Sequence, residues 1–139
     1  METLLDWSYL IGRILFSAIF LLSGINHFAQ RNAMVQYAQS KSVPAGALMV
    51  PLTGLMILLG GLSVLLGYFM EIGTWLIILF LLPTSFMMHD FWKVPDPMQR
   101  ANQQAHFMKN MAMTGGSLIL YWTVQTLGYG PFTLGEPMG

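Results

Sequence analysis

The sequence has no cysteine and few charged residues, and both shortages narrow what the protein can be. Without cysteine, the 139 residues form no disulfide, no thiolate metal site and no dithiol redox relay. Six basic and six acidic side chains make up only 9% of the chain, against about a quarter in a typical soluble domain. Because these charges cancel, no net field draws a nucleic acid, and we exclude that class of partner.

The N-terminal stretch METLLDWSYLIGRILF also lacks the pattern of a cleaved secretory signal. Such a signal begins with basic residues and ends at a small-residue cleavage site, whereas this stretch carries Glu2 and Asp6. We therefore expect the first apolar segment to be retained.

Hydrophobic residues make up 55% of the chain, and four apolar runs approach the roughly 20 residues that a membrane-spanning helix needs. We predict an all-α, polytopic membrane protein, with a single domain over residues 1–139 that forms a four-transmembrane-helix bundle. A tight turn, GYFMEIG, joins the second and third spans, and Pro83 is expected to kink the third. The predicted spans are about 9–28, 48–69, 72–88 and 107–126.

The two longer loops between spans hold most of the polar residues and share one membrane face. In the first loop Met34, Tyr37 and Ala38 recur at helical spacing, which predicts a short helix at the membrane interface. Basic residues are concentrated on the same face. By the positive-inside rule, we predict cytoplasmic loops and both termini on the outer, periplasmic side. The basic residues are Arg31, Lys41, Lys93, Arg100 and Lys109.

All three histidines are predicted to lie near this loop face, because successive spans alternate in direction. His27 ends the first span, and His89 and His106 bracket a loop short enough to make them near neighbours. We predict a pocket here in which imidazoles bind a small polar group. A metal or haem site is the alternative, but no His-x-x-x-His or Glu-x-x-His pair supports one, and Trp92 equally suits an interfacial anchor. The candidate ligand-binding residues are His27, His89, Asp90, Trp92, His106, Lys109 and Asn110.

Two structural predictions concern the other polar and small residues of the spans. Arg13 and Glu71 both lie towards the outer face, which predicts an ion pair, unless Arg13 instead extends to the lipid headgroups. Small residues within the second and fourth spans predict close helix approach. These are Gly60, Gly61, Gly115 and Gly116.

Four stretches stand out in order: GRILFSAIFLLSGINHF, PLTGLMILLGGLSVLLG, HDFW and HFMKNMAMTGGSL. Together they resemble the DoxX family of small bacterial integral membrane proteins. The resemblance implies a four-helix bundle in the bacterial cytoplasmic membrane and a link to quinones, membrane redox chemistry or oxidative stress. This chain departs from many relatives, which have Lys where His27 stands and a Glu in the second span, where LMILL occurs here.

The resemblance implies a quinone-associated component of a membrane redox or oxidative-stress system, with a bound quinone as the only cofactor expected. Because the sequence has no flavin, nicotinamide, haem or iron–sulfur motif, electron transfer would need a redox partner protein. The chain is then at most a non-catalytic or quinone-binding subunit of an oxidoreductase, and no catalytic residue is identified. The alternative is an accessory or assembly subunit of a larger membrane complex. A transporter fits less well, because paired broken helices are not apparent.

Overall fold

The structure, a computed structural model of the chain, describes residues 2–135 and folds them almost entirely into helices. A chain in lipid favours this form, because a helix pairs backbone N–H and C=O groups within one segment. A short 3-10 helix, Phe91–Lys93, lies between the last two α-helices. The α-helices are α1 (Glu2–Ala29), α2 (Arg31–Ser40), α3 (Gly46–Leu66), α4 (Met70–Met88) and α5 (Pro97–Leu127).

Within residues 2–135, three helical segments are long and apolar enough to cross a membrane, so this is a multi-pass membrane protein. They are Thr3–Ala29, Gly46–Leu66 and Met70–Lys93, which agree with the first three predicted spans. The fourth predicted span, 107–126, is helical as part of α5. α5 is long enough to cross a membrane but is less apolar than the other three helices. Its role as a span stays a prediction. The predicted short helix also forms, as α2, while its place at the membrane interface stays a prediction.

The long helices pack in the order α1, α3, α4, α5, each antiparallel to the next. The buried centre combines side chains from α1, α3 and α4, while Ser117 Oγ of α5 donates to the Thr74 carbonyl of α4 at 3.0 Å. Since lipid is as apolar as these side chains, their packing together does not remove them from water. Close van der Waals contact holds the helices together instead. The central residues are Phe20, Ile57, Val64, Ile77 and Leu81.

Glycines set how closely the helices approach. An added Cβ on Gly60 would lie 2.8 Å from Ile77 Cγ1, while Cβ atoms on Gly61 and Gly116 would press on side chains of α1. These contacts confirm the prediction at those three positions. At Gly115 an added Cβ would meet nothing within 4 Å, so the predicted close approach there is wrong.

Local sequence explains where the helices begin and end. Asp96 caps α5 by accepting from the Gln99 N–H at 2.9 Å, and Pro97 takes the first helical position, where its missing N–H costs nothing. Gly67, with φ of 68°, ends α3 and opens the predicted tight turn into α4. Pro83 lies inside α4 without ending it, and the predicted kink stays a prediction.

Arg13 lies buried at the bundle end opposite the two loops and is only 2% exposed. Its Nη1 donates to the carbonyls of Val64 and Leu65 at 3.3 and 3.1 Å. Its Nη2 donates to the carbonyls of Pro131, at 3.3 Å, and Phe132. One guanidinium thus joins α1 to the end of α3 and to residues 128–135, which we call the C-terminal segment.

The predicted ion pair between Arg13 and Glu71 is wrong. Glu71 accepts a hydrogen bond from the Tyr129 hydroxyl, which itself accepts from the Met70 N–H at 2.9 Å. The carbonyls at the C-terminal end of α3 carry partial negative charge and satisfy the guanidinium without a carboxylate. In the part of the chain that the structure describes, the one ion pair joins Lys41 and Asp90 instead.

Candidate functional site

A cavity of about 560 Å³ opens among all five α-helices at the loop end of the bundle. Its lining is mainly apolar, as is usual for sites that bind small molecules, with a few polar side chains. Four of the seven predicted binding residues line it, so helices distant in sequence bring those four together. The four are His27, His89, Lys109 and Asn110.

His27 lies in the last turns of α1 and is only 6% exposed. Its Nδ1 lies 2.7 Å from the Ser23 carbonyl oxygen, which accepts a hydrogen bond from this nitrogen and so fixes the ring orientation. The ring meets Phe80 edge-on at 5.7 Å between centroids. Among residues 2–135 the other ring nitrogen, Nε2, has no hydrogen-bond partner, so His27 presents an unused polar atom to the cavity.

Asn110 on α5 is the second buried polar group of the cavity, also 6% exposed. Its backbone carbonyl accepts from Thr114 Oγ1, but its side-chain amide has no hydrogen-bond partner within residues 2–135. The amide atoms keep some accessible surface and so are open to the cavity, where water or a ligand can pair with them. The Asn110 amide is therefore positioned to donate to and accept from a molecule in the cavity.

His89 and His106 stack with ring centroids 5.1 Å apart and an interplanar angle of 23°, which confirms that they are near neighbours. His89 lies just after α4, and its Nδ1 is 2.8 Å from Gln103 Oε1, which accepts a hydrogen bond from it. His89 lines the cavity, whereas His106 stands behind it and is exposed. His106 therefore supports the ring of His89 rather than meeting the cavity itself.

Asp90 and Trp92 do not line the cavity, although both were predicted as binding residues. The Asp90 carboxylate accepts from Lys41 Nζ at 2.8 Å, and this hydrogen bond raises the pKa of the Lys41 ammonium. Trp92 is 49% exposed and packs in a group of aromatic rings, which suits the interfacial anchor considered from sequence. The other rings of that group are Phe86, Phe91 and Phe107.

The ion pair of Lys41 and Asp90 fastens the end of α2 to the loop after α4. Tyr37 of α2 adds a second tie, because its hydroxyl donates to the Met88 carbonyl at 3.2 Å. α2 therefore lies across the loop end of the cavity, where Tyr37 and Ala38 form part of the lining. The sequence pattern found this helix but not its covering position.

Methionine forms a large share of the apolar lining, and none of these methionines is among the predicted binding residues. Six methionines from four helices face the cavity, and their flexible thioethers let a pocket adapt to the shape of its ligand. Four of the six lie in or beside the two loops in sequence, which was the available signal. They are Met34, Met49, Met56, Met87, Met88 and Met113.

Comparison with known proteins finds one family that matches the chain. The family model described as DoxX matches residues 8–90, which is more than half of the chain and contains most of α1 and all of α2, α3 and α4. No curated protein and no solved structure matches the chain. Asn110 and Lys109 on α5 lie beyond the matched residues.

Proposed function

We propose a function from the premise that the chain belongs to the DoxX family: it binds a quinone in the cavity, as a component of a membrane redox or oxidative-stress system. The observation that carries this proposal is Asn110, a residue only 6% exposed whose side-chain amide has no partner within residues 2–135 and opens into a mainly apolar cavity of about 560 Å³. A flat apolar ring with polar oxygens is the kind of molecule that such a lining suits.

The polar atoms match both forms of a quinone. The Asn110 amide N–H donates to a ring carbonyl of the oxidised form. His27 Nδ1 carries its proton and donates it in a hydrogen bond to the Ser23 carbonyl, so Nε2 of the neutral ring accepts a hydrogen bond from the hydroxyl of the reduced form. We assign the redox centre to a partner protein, which gives electrons to the quinone or takes electrons from it.

We also propose that α5 is the fourth span. Phe107 and Tyr121 of α5 lie 5.2 and 5.4 Å, between ring centroids, from Phe86 and Trp75 of α4. α5 therefore runs beside α4 for most of the length of α4, and α4 is apolar enough to span a membrane. The termini then lie together on one side and the loops on the other, with α2 along the surface at the loop side.

Reporter fusions test this topology in a bacterial cytoplasmic membrane. We expect fusions at both termini to report the periplasmic side and a fusion in the loop at residues 94–96 to report the cytoplasm, because five basic residues lie near the loop face. Cytoplasmic signal from either terminus would contradict the assignment.

Replacing Asn110 with Leu tests the quinone site directly. We expect the affinity for a neutral quinone, menadione, to fall about tenfold, because the amide that donates to the ring carbonyl is lost. Stability should be unchanged or higher, since an apolar side chain of similar size replaces a buried group that has no partner among the described residues. The measurements are ligand titration in nanodiscs and thermal unfolding.

Thr114→Val is the matched control, one turn further along the buried face of α5. The Thr114 hydroxyl donates to the Asn110 carbonyl of its own helix and does not line the cavity, so menadione affinity should not change. If Asn110→Leu binds menadione as tightly as the wild type, or if the wild type does not bind it, the quinone site is refuted. The accessory-subunit alternative would then gain support.

A further inference from the structure

The ionisable groups around the cavity are unbalanced in charge. Its described lining contains three nitrogen bases and one phenol, but no carboxylate. The bases are His27, His89 and Lys109, and the phenol is Tyr37. A ligand therefore meets groups that attract negative charge and none that repel it.

The carboxylates of the described chain do not correct this imbalance. Asp90, which follows His89 directly in sequence, is held by Lys41 at 2.8 Å. Asp96 accepts from the Gln99 N–H as the cap of α5. Glu71 accepts a hydrogen bond from Tyr129 at the opposite end of the bundle, where Asp6 also lies, near the start of α1. Lys109 itself has no ion-pair or hydrogen-bond partner within residues 2–135, so its ammonium is available at the cavity.

The polar groups of the lining become more exposed towards the loop end of the cavity. Lys109 and Asn110 are consecutive on α5, but Asn110 is buried whereas Lys109 is exposed. His89, half-buried at the end of α4, lines the cavity from the loop side. A ligand whose neutral oxygen meets Asn110 can thus place a charged oxygen towards the loop end.

We propose that the ligand is an acidic quinone, with a ring hydroxyl ionised at neutral pH that faces Lys109 and His89. This inference rests on the proposed quinone site and adds the class of ring that the site prefers. A charge-assisted hydrogen bond from an ammonium is about twice as strong as a neutral one, so an ionised hydroxyl gains more from Lys109 than a neutral group does.

The experiment compares two naphthoquinones of the same size. Lawsone carries an ionised ring hydroxyl at neutral pH, and menadione carries a methyl group in its place. Each is titrated into nanodiscs containing the full chain, with empty nanodiscs as the reference for partition into lipid. We expect the wild type to bind lawsone about tenfold more tightly than menadione.

Variants assign the preference to a residue. Lys109→Met and Lys109→Gln should both reduce the ratio of the two affinities to about one, because the binding of lawsone weakens. Lys93→Met is the matched control, because Lys93 is an exposed lysine near the same face that does not line the cavity. That variant should retain the wild-type ratio.

Each other outcome overturns a defined part of the inference. Equal binding of the two compounds by the wild type refutes the acidic ring but leaves the quinone site standing, whereas binding of neither refutes both. If octanoate displaces lawsone at a concentration close to the affinity of lawsone itself, the site recognises negative charge alone and the ring assignment falls. An unchanged ratio in both Lys109 variants refutes the role of Lys109.

Discussion

Replacing Arg13 with Met is expected to lower the free energy of unfolding by about 3 kcal/mol, the largest loss that we expect from any single substitution. Four backbone carbonyls accept from the guanidinium. Met retains the apolar stem but donates nothing, so those carbonyls lose a charged donor in a buried site. Two of them belong to the last turn of α3, where carbonyls lack partners within the helix.

Arg31→Met provides the comparison for Arg13. Arg31 is exposed, and its one described hydrogen bond is a long one of 3.4 Å to the Ala47 carbonyl, which Pro51 leaves without its usual helical donor. Its loss should cost less than about 1 kcal/mol. Thermal unfolding in detergent gives both values, and limited proteolysis should cut the C-terminal segment faster in Arg13→Met alone. Equal losses in the two variants would show that the buried guanidinium is not what fastens that segment.

Replacing Gly54 with Ala is expected to cost about 2 kcal/mol and to disturb the cavity at the same time. An added Cβ at Gly54 would lie 2.6 Å from the Cβ of His27, so α1 and α3 must separate. Because the obstacle is close to the His27 backbone rather than the end of a flexible side chain, little local adjustment is available. The shift moves the His27 ring from its place beside Phe80, so menadione affinity should fall as well.

Gly115→Ala makes the same chemical change where there is room. An added Cβ there meets nothing within 4 Å, so stability and menadione affinity should stay at the wild-type level or improve slightly through better helix propensity. Thermal unfolding and menadione titration of both variants separate the effect of the close helix contact from the effect of the glycine-to-alanine change itself. If the two alanine variants behave alike, close contact between α1 and α3 is not what positions His27.

The parts of the fold that follow from chain composition were predictable from sequence. Apolar runs locate the three helices able to span, and the short loop between His89 and His106 brings these residues together whatever the detailed packing. The start of α5 was missed by ten residues, at Pro97 rather than 107, because apolar length was the criterion. The Asp-Pro pair at 96 and 97 is a helix-start signal that would have found it.

The site was only partly predictable, because rotation of each helix about its axis decides which side chains face the cavity. Sequence spacing grouped His106 with His89, yet only His89 lines the cavity. Arg13 shows a different limit. Its partners are backbone carbonyls, which every residue has, so no pattern of side chains distinguishes Val64 or Pro131 as acceptors.

The contacts of Arg13 also constrain the order in which the bundle matures during synthesis. Arg13 emerges with the first helix, whereas Pro131 and Phe132 follow 118 and 119 residues later. Until then an arginine within an apolar helix opposes membrane insertion by about 2.5–3.5 kcal/mol at mid-bilayer, less near a surface. While the other helices are made, Arg13 therefore lacks its two acceptors in the C-terminal segment. Residues 131 and 132, which are made after α5, thus complete the contacts of the first helix.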